Sequence, residues 1–251
     1  MKEGGHPMTE CNQETLRFQE ISGKRVEAKF DGGMVSTEAG ALILREVCKR
    51  RGIFERLKDC FTDYRNPSFT IHSVQALLEQ RIYGLACGYE DLNDHDILRQ
   101  DAVFQLLIGK QPELEPKLAG RNTLNRLELS GQDIEEGERY KKISCNDEKL
   151  QAWREGEPQF QLFSYRLSSG VKRANQLRLW FSTLAYLILV LVKKYALKNT
   201  PLANAEVLSI RLKLIKLAAK VTVSARRVYL SLAQGFPFQK IFATALKNAT
   251  A

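Results

Sequence analysis

IHSVQALLEQRIYGLACGYEDLNDHDILRQDAVFQLLI, residues 71–108, sets two apolar runs on either side of an acidic segment. In the first run Ile71, Val74, Leu77, Leu78, Ile82 and Leu85 keep the 3.6-residue period of a helix with one buried face. Thr70 stands where a cap belongs and Gly88 where a helix ends, so the spacing predicts a helix from Ile71 to Cys87. The second run, AVFQLLI from Ala102 to Ile108, can be capped by Asp101. Between them GYEDLNDHDILRQD, residues 88–101, crowds Glu90, Asp91, Asp94, His95, Asp96 and Asp101 together. If this segment were helical, Glu90 would lie beside Asp94 and Asp91 beside His95, a spacing that can hold a divalent metal. Asp91, Asn93, Asp94 and Asp101 also stand where N-caps are expected, and an anion there stabilises a helix start by about 0.3–1 kcal/mol. The residues alone favour caps and spacers over a metal site or a partner surface.

Upstream, KRVEAKF at 24–30 alternates as a short strand does, with Val26, Ala28 and Phe30 on one side, and Asp31-Gly32-Gly33 follows as a turn. Ser36 and Thr37 then sit where an N-cap belongs, predicting an amphipathic helix at roughly 37–51 that Gly52 stops. Downstream, LAGRNTLNRLEL predicts a short helix capped by Asn122 or Thr123. It offers Arg121, Asn122, Asn125 and Arg126, side chains suited to guanine and adenine edges, although ordinary capping and packing explains the same residues. Residues 130–159 lose the apolar rhythm and gain charge. Beyond them the pattern predicts helices at Ala174–Leu197, Ala205–Lys220 and Ser224–Ala233, then an apolar-aromatic segment, FPFQKIFATAL. The organisation expected is a mostly helical N-terminal region over 1–130, a junction or linker over 131–160 and a basic helical region over 161–251.

A chain of 251 residues with 44% hydrophobic and 27% charged residues has enough apolar side chain for a buried core, which excludes a disordered protein. Cys11, Cys48, Cys60, Cys87 and Cys145 are scattered, odd in number and never in a CxxC pair, which points to a reducing, cytoplasmic setting rather than a zinc or disulfide scaffold. No apolar run opens the chain as a secretory signal would. The longest, Leu179–Val192, is shorter than the roughly 20 residues a spanning helix needs, so it reads as a core helix and no membrane partner is expected. The net charge of +9 is unevenly spread: residues 171–251 carry 14 Lys and Arg against one acid, Glu206. Such a segregated basic region suits a polyanion, because clustered cations release counterions from phosphate. The candidate nucleic-acid contacts are Lys172, Arg173, Arg178, Arg211, Lys213, Lys216, Lys220, Arg226 and Arg227. On a helix from Ala205, Leu208, Leu212, Ile215 and Ala219 would form an apolar stripe, with Lys213, Lys216 and Lys220 on a neighbouring face. That arrangement tracks phosphates without reading bases, and a solvated lysine face is the alternative.

FDGGMVSTEAGALILRE, GYEDLNDHDILRQDAVFQLLIGK and LAGRNTLNRLE resemble the N-terminal portion of bacterial insertion-sequence transposases of the group-1 DDE type, the insertion-sequence 1380 family. ANQLRLWFSTLAYLILV and IRLKLIKLAAKVTVSARRVYLSLA resemble its C-terminal portion. The resemblance implies an RNase H-like core between the two, with aspartates in phrases like LDIDATD and RGDSGF and a glutamate on a late helix. Neither aspartate phrase occurs in this chain. The positions before QFQLF, where the glutamate phrase belongs, read LQAWREGEP, so neither Glu155 nor Glu157 takes that role. In-line phosphoryl transfer by the family needs three carboxylates holding two Mg²⁺ ions. The resemblance therefore implies an internally deleted transposase: a mainly α fold with a small N-terminal β element, a remnant of the RNase H-like fold lacking most of its central catalytic sheet. No catalytic residue, metal ligand or cofactor is expected in this chain. The implied partners are DNA, at terminal inverted repeats, and a second copy or a full-length transposase that it would dampen; a nonfunctional relic is the remaining reading.

Overall fold

The computed structural model describes residues 16–21, 24–28, 32–131, 142–156, 173–224 and 226–251, those at 16–28 by their backbone alone. Two antiparallel strands come first, β1 (Leu16–Ile21) and β2 (Lys24–Ala28). The strand expected at 24–30 is β2; Phe30 and Asp31 lie outside the described residues. Gly33 then takes φ 72°, a left-handed conformation that suits glycine, and turns the chain into β3 (Met34–Ser36).

The helix expected from residue 37 starts later. A single 3-10 turn at Ala39–Ala41 precedes α1 (Leu42–Arg51), and Ser36 and Thr37 do not cap it. Ser36 ends β3, and its Oγ accepts from Glu38 N at 3.2 Å. The cause is tertiary: Glu38 bridges to Leu217, and Ala39 N donates to Leu217 O at 3.0 Å, so pairing with a distant strand overrides the local cap. Gly52 ends α1 in the left-handed region at φ 59°, as its position predicts.

After α2 (Ile53–Leu57) and β4 (Phe61–Asp63) comes α3 (Val74–Cys87), the central helix. It begins later than the apolar period suggests, because Ser73 rather than Thr70 caps it, accepting from Ala76 N at 3.2 Å. Ile71 is thereby left 69% exposed, while Leu77, Leu78, Ile82 and Leu85 are buried. Three short helices follow, α4 (His95–Leu98), α5 (Ala102–Leu107) and α6 (Arg121–Glu128). Neither Asn122 nor Thr123 caps α6; its N-cap is Gly120, and Arg121 N donates to Asp96 Oδ1 at 3.1 Å. Within 131–160 the described residues form β5 (Ile143–Cys145), antiparallel to β4, and α7 (Asp147–Gly156).

The C-terminal part opens with α8 (Arg173–Leu191), continued by one π-helical turn at Val192–Ala196. It packs along α3, burying Leu177, Phe181, Leu184 and Ile188. A fully buried Leu or Phe side chain contributes about 1.5–3 kcal/mol by leaving water. Gln176–Ala196 is the one helix among the described residues long and apolar enough to cross a membrane, and half of it is buried in the protein.

The next two expected helices are corrected. Only Val207–Ile210 is α-helical, as α9; a π turn at Arg211–Ile215 follows, and then the chain becomes a hairpin of β6 (Ala219–Val223) and β7 (Val228–Leu232). The widened turn shifts the buried face to Ile210, Leu214 and Ile215 and leaves Leu208 and Leu212 exposed. Beyond Leu217 the β-branched, alternating AKVTV suits a pleated strand better than a helix, and Val228 and Tyr229 of VYLSL favour a strand beside it. The hairpin joins β3 in an antiparallel sheet of order β3-β6-β7, with Ser36 opposite Ala219. Finally α10 (Gln239–Thr250) packs on α1 and the π turn at 192–196. Among the described residues the architecture is mostly helical with three small antiparallel sheets, and side chains from Ala39 to Ala249 contribute to one core.

One half-buried acid sets a pH dependence. Glu79 of α3 accepts a hydrogen bond from Gln75 at 2.9 Å, and burial, aided by nearby Glu55, pushes its carboxyl up to about 7. In the unfolded chain it ionises near the usual value of about 4.3. The folded state therefore holds a proton that the unfolded chain has lost, and stability falls as pH rises from about 4.3 through about 7. Glu79→Gln is expected to raise unfolding free energy by about 1–2 kcal/mol at pH 8 and to leave it unchanged below pH 4. Urea melts at the two pH values check this; an equal effect at both would place the cause elsewhere.

Candidate nucleic-acid interface

The nine basic residues singled out by sequence fall into three groups. Lys172, and the side chain of Arg173 at the start of α8, lie outside the described residues. Three others are drawn into the fold. Arg178 Nε donates to Glu128 Oε2 at 2.6 Å, and Arg211 donates to the carbonyls of Ala86 and Leu85 at 2.8 and 3.0 Å, closing the C-terminal end of α3. Lys216 pairs with buried Glu38, lies 3.3 Å from Tyr89 Oη and stands over the Tyr89 ring at 4.8 Å. Lys213, Lys216 and Lys220 do not share a helix face, because the helix ends at Ile215 and Lys220 is on β6.

The third group is brought together on the hairpin. Arg226 and Arg227 are exposed at its tip, where Ser224 Oγ donates to Arg227 O at 2.9 Å and accepts from Arg227 N at 3.1 Å. Lys220 pairs across the strands with Ser231, and Thr222 with Tyr229. Side chains opposite one another share a sheet face, so Lys220, Thr222, Tyr229 and Ser231 form one exposed face of the ribbon. The other face carries Ala219 and Val221, both buried. Lys213, exposed, lies on the preceding π turn near the Phe238 ring. Beyond Val221, where β3 no longer pairs with it, the hairpin is a two-stranded ribbon with a basic tip, a shape that the DNA major groove admits.

A second basic feature lies at the start of α6. Arg65, His72, Arg99, Arg121 and Arg126 line a cleft of about 550 Å³ in which Asp96 is the one acid. Arg65 clamps Asp63 with hydrogen bonds of 2.8 and 2.7 Å and donates to His72 O at 2.9 Å. Arg121 bonds Asn93 at 2.8 Å and Asp96 at 3.3 Å. Arg99 Nε is buried without a hydrogen-bond partner, and its guanidinium lies beside Gly120, where a Cβ would come within 3.2 Å of it. Burial, and then the positive charges of Lys110, Arg99 and Arg65, hold the His72 imidazole down to about 4. Phe69 and Ile71 stand at the lip, Phe69 being 85% exposed. Arg121 and Arg126 belong to the helix that sequence proposed as a base reader, whereas its Asn125 accepts from Arg178 at 3.4 Å. Sequence reasoning missed Arg65, His72 and Arg99, which lie on separate segments with no common spacing.

The acidic segment serves the fold. Asp91 accepts from Asn93 N and Asp101 from Phe104 N, both at 2.9 Å, and Asp96 holds the start of α6. His95 is fully buried, and burial followed by the charge of Arg81 holds it down to about 4. Gln80 Nε2 and Arg81 Nη1 face its two ring nitrogens at 3.4 and 3.5 Å. Gln80 is itself fixed by both backbone groups of Ala119, so a second ring proton would meet a donor and the imidazole stays neutral.

No curated protein and no solved structure matches this chain. The profile of one family does, described as the transposase DDE domain group 1, over residues 18–155 and again over 154–250. With nearly the whole length covered by those two stretches, the chain belongs to the group 1 family of DDE-domain transposases.

Proposed function

We propose that this chain is an internally shortened transposase of the insertion-sequence 1380 family that binds DNA at terminal inverted repeats and does not transfer strands. The observation that carries the DNA-binding half is the ribbon, with Arg226 and Arg227 at its tip and Lys220 and Tyr229 on its exposed face. Two sequence facts support the shortening: both aspartate phrases are missing, and the family match comes in two stretches that meet at 154–155. On this reading the fold is what remains around a lost RNase H-like sheet. Four of the described carboxylates are engaged in the fold: Asp91, Asp101 and Asp96 spend oxygens on backbone N–H groups, and Glu128 accepts from two arginines.

Binding of the whole protein to a terminal-repeat duplex and to a scrambled one, across a salt series, tests the reading. Each neutralised phosphate adds about 0.9 to the slope of log affinity against log salt. Arg226→Ala combined with Arg227→Ala is expected to weaken duplex binding and to lower that slope by about 2. An unchanged slope removes the ribbon from the interface. A second reading, association with a full-length transposase, is favoured by Leu179, Tyr186, Leu208 and Leu212, apolar side chains left exposed on α8 and around α9.

A further inference from the structure

The cleft at the start of α6 has the composition of a site for an unpaired strand. Its floor is cationic, and a cleft of about 550 Å³ seats a stretch of backbone with a base rather than the girth of a duplex. Its lip carries an aromatic ring with no core to join. Phe69 is not loose there: Asn66 Oδ1 accepts from Ser68 N at 2.9 Å, Thr70 Oγ1 donates to Asn66 O at 2.8 Å, and Pro67 opens the 3-10 turn Pro67–Phe69. A built turn thus holds an apolar ring out in water beside four arginines, with Ile71 exposed next to it. Stacking on a base is the contact that such a ring can make, and it requires a base face that a duplex does not offer except at its ends.

We infer that this cleft binds single-stranded DNA, with a backbone phosphate drawn in toward Arg99 and Arg121 and an unpaired base stacked on Phe69. The inference rests on the DNA-binding reading and adds a second site to it, separate from the ribbon. Gly120 fits the role, because a side chain there would come against the Arg99 guanidinium and Asp96.

The test uses the whole protein and fluorescence anisotropy with a labelled oligodeoxynucleotide of about 12 residues, single-stranded and as a blunt duplex. Phe69→Ala is expected to weaken strand binding about tenfold and leave duplex binding unchanged, with Phe69→Trp restoring the strand. Phe69 is exposed, so an unchanged melting temperature accompanies the loss. Arg226→Ala with Arg227→Ala has the opposite pattern, weakening the duplex and sparing the strand. Strand affinity that survives Phe69→Ala overturns the inference while leaving the ribbon reading intact, and tighter binding of the matching oligoribonucleotide overturns it as well. Duplex affinity indifferent to the ribbon variants counts against the proposed function instead.

Discussion

Glu128→Ala is expected to lower the unfolding free energy by about 3–5 kcal/mol, the range for breaking one side of a buried ion pair. Glu128 is 1% exposed and accepts from Arg81 Nε at 2.7 Å and Arg178 Nε at 2.6 Å, tying α6 to α3 and α8. Arg81 is itself buried, and its other nitrogens donate to the carbonyls of Tyr89 and Glu90 at 3.2 and 2.8 Å. Removing the carboxylate leaves that guanidinium charged and unpaired in the core. Arg178 is about half exposed, so Arg178→Ala exchanges one ion-pair arm for water and is expected to cost about 1 kcal/mol or less. Urea denaturation of the two variants separates the cases. A Glu128→Ala loss below about 1 kcal/mol would mean that water reaches Arg81 and that the pair is not a core element.

Gly40→Ala is expected to cost about 3 kcal/mol or more, because the added methyl meets backbone rather than a movable side chain. A Cβ at Gly40 would lie 1.8 Å from Leu214 O and 2.7 Å from Ile215 Cα. This is where the 3-10 turn at 39–41 rests on the π turn at 211–215, next to the hydrogen bond from Ala39 N to Leu217 O. The turns must move apart, and the seam between β3 and β6 opens with them. Duplex binding through the ribbon is therefore expected to fall along with the melting temperature. Gly235→Ala is the control, since a Cβ there meets nothing within 4 Å and is expected to leave both unchanged. Equal melting temperatures for the two variants would show that the close approach at Gly40 relaxes without cost.

The parts of this fold that were legible in the sequence are those set by short-range rules. The stretch from Val74 to Gly88 keeps its helical period, the glycines at 52 and 88 end their helices, and Asp91 and Asp101 act as caps. Long-range pairing was not legible. Leu208, Leu212, Ile215 and Ala219 extend an apparent helical stripe that carries a helix reading on to Lys220, and the alternation that makes AKVTV a strand is satisfied only once β3 lies beside it. In the same way Lys216 reads as a solvated lysine until Glu38 is brought to it. The ribbon tip, Arg226 and Arg227, was named from charge alone, whereas the cleft depends on Arg65 and Arg99, which only the packing of their segments brings together. What remained hidden was contact order rather than composition.

The pairing of Ser36 with Ala219 has a kinetic side. Closing a loop of roughly 180 residues costs about 5 kcal/mol in chain entropy before any ladder bond repays it. The docking of α8 on α3 would shorten that loop, so the seam is expected to form after the helices have met. Until they meet, β3 and the hairpin each carry unpaired edges, and refolding at high protein concentration is expected to lose yield as those edges pair between molecules. The seam that fixes the ribbon in the native protein is thus also the step at which refolding is expected to compete with aggregation.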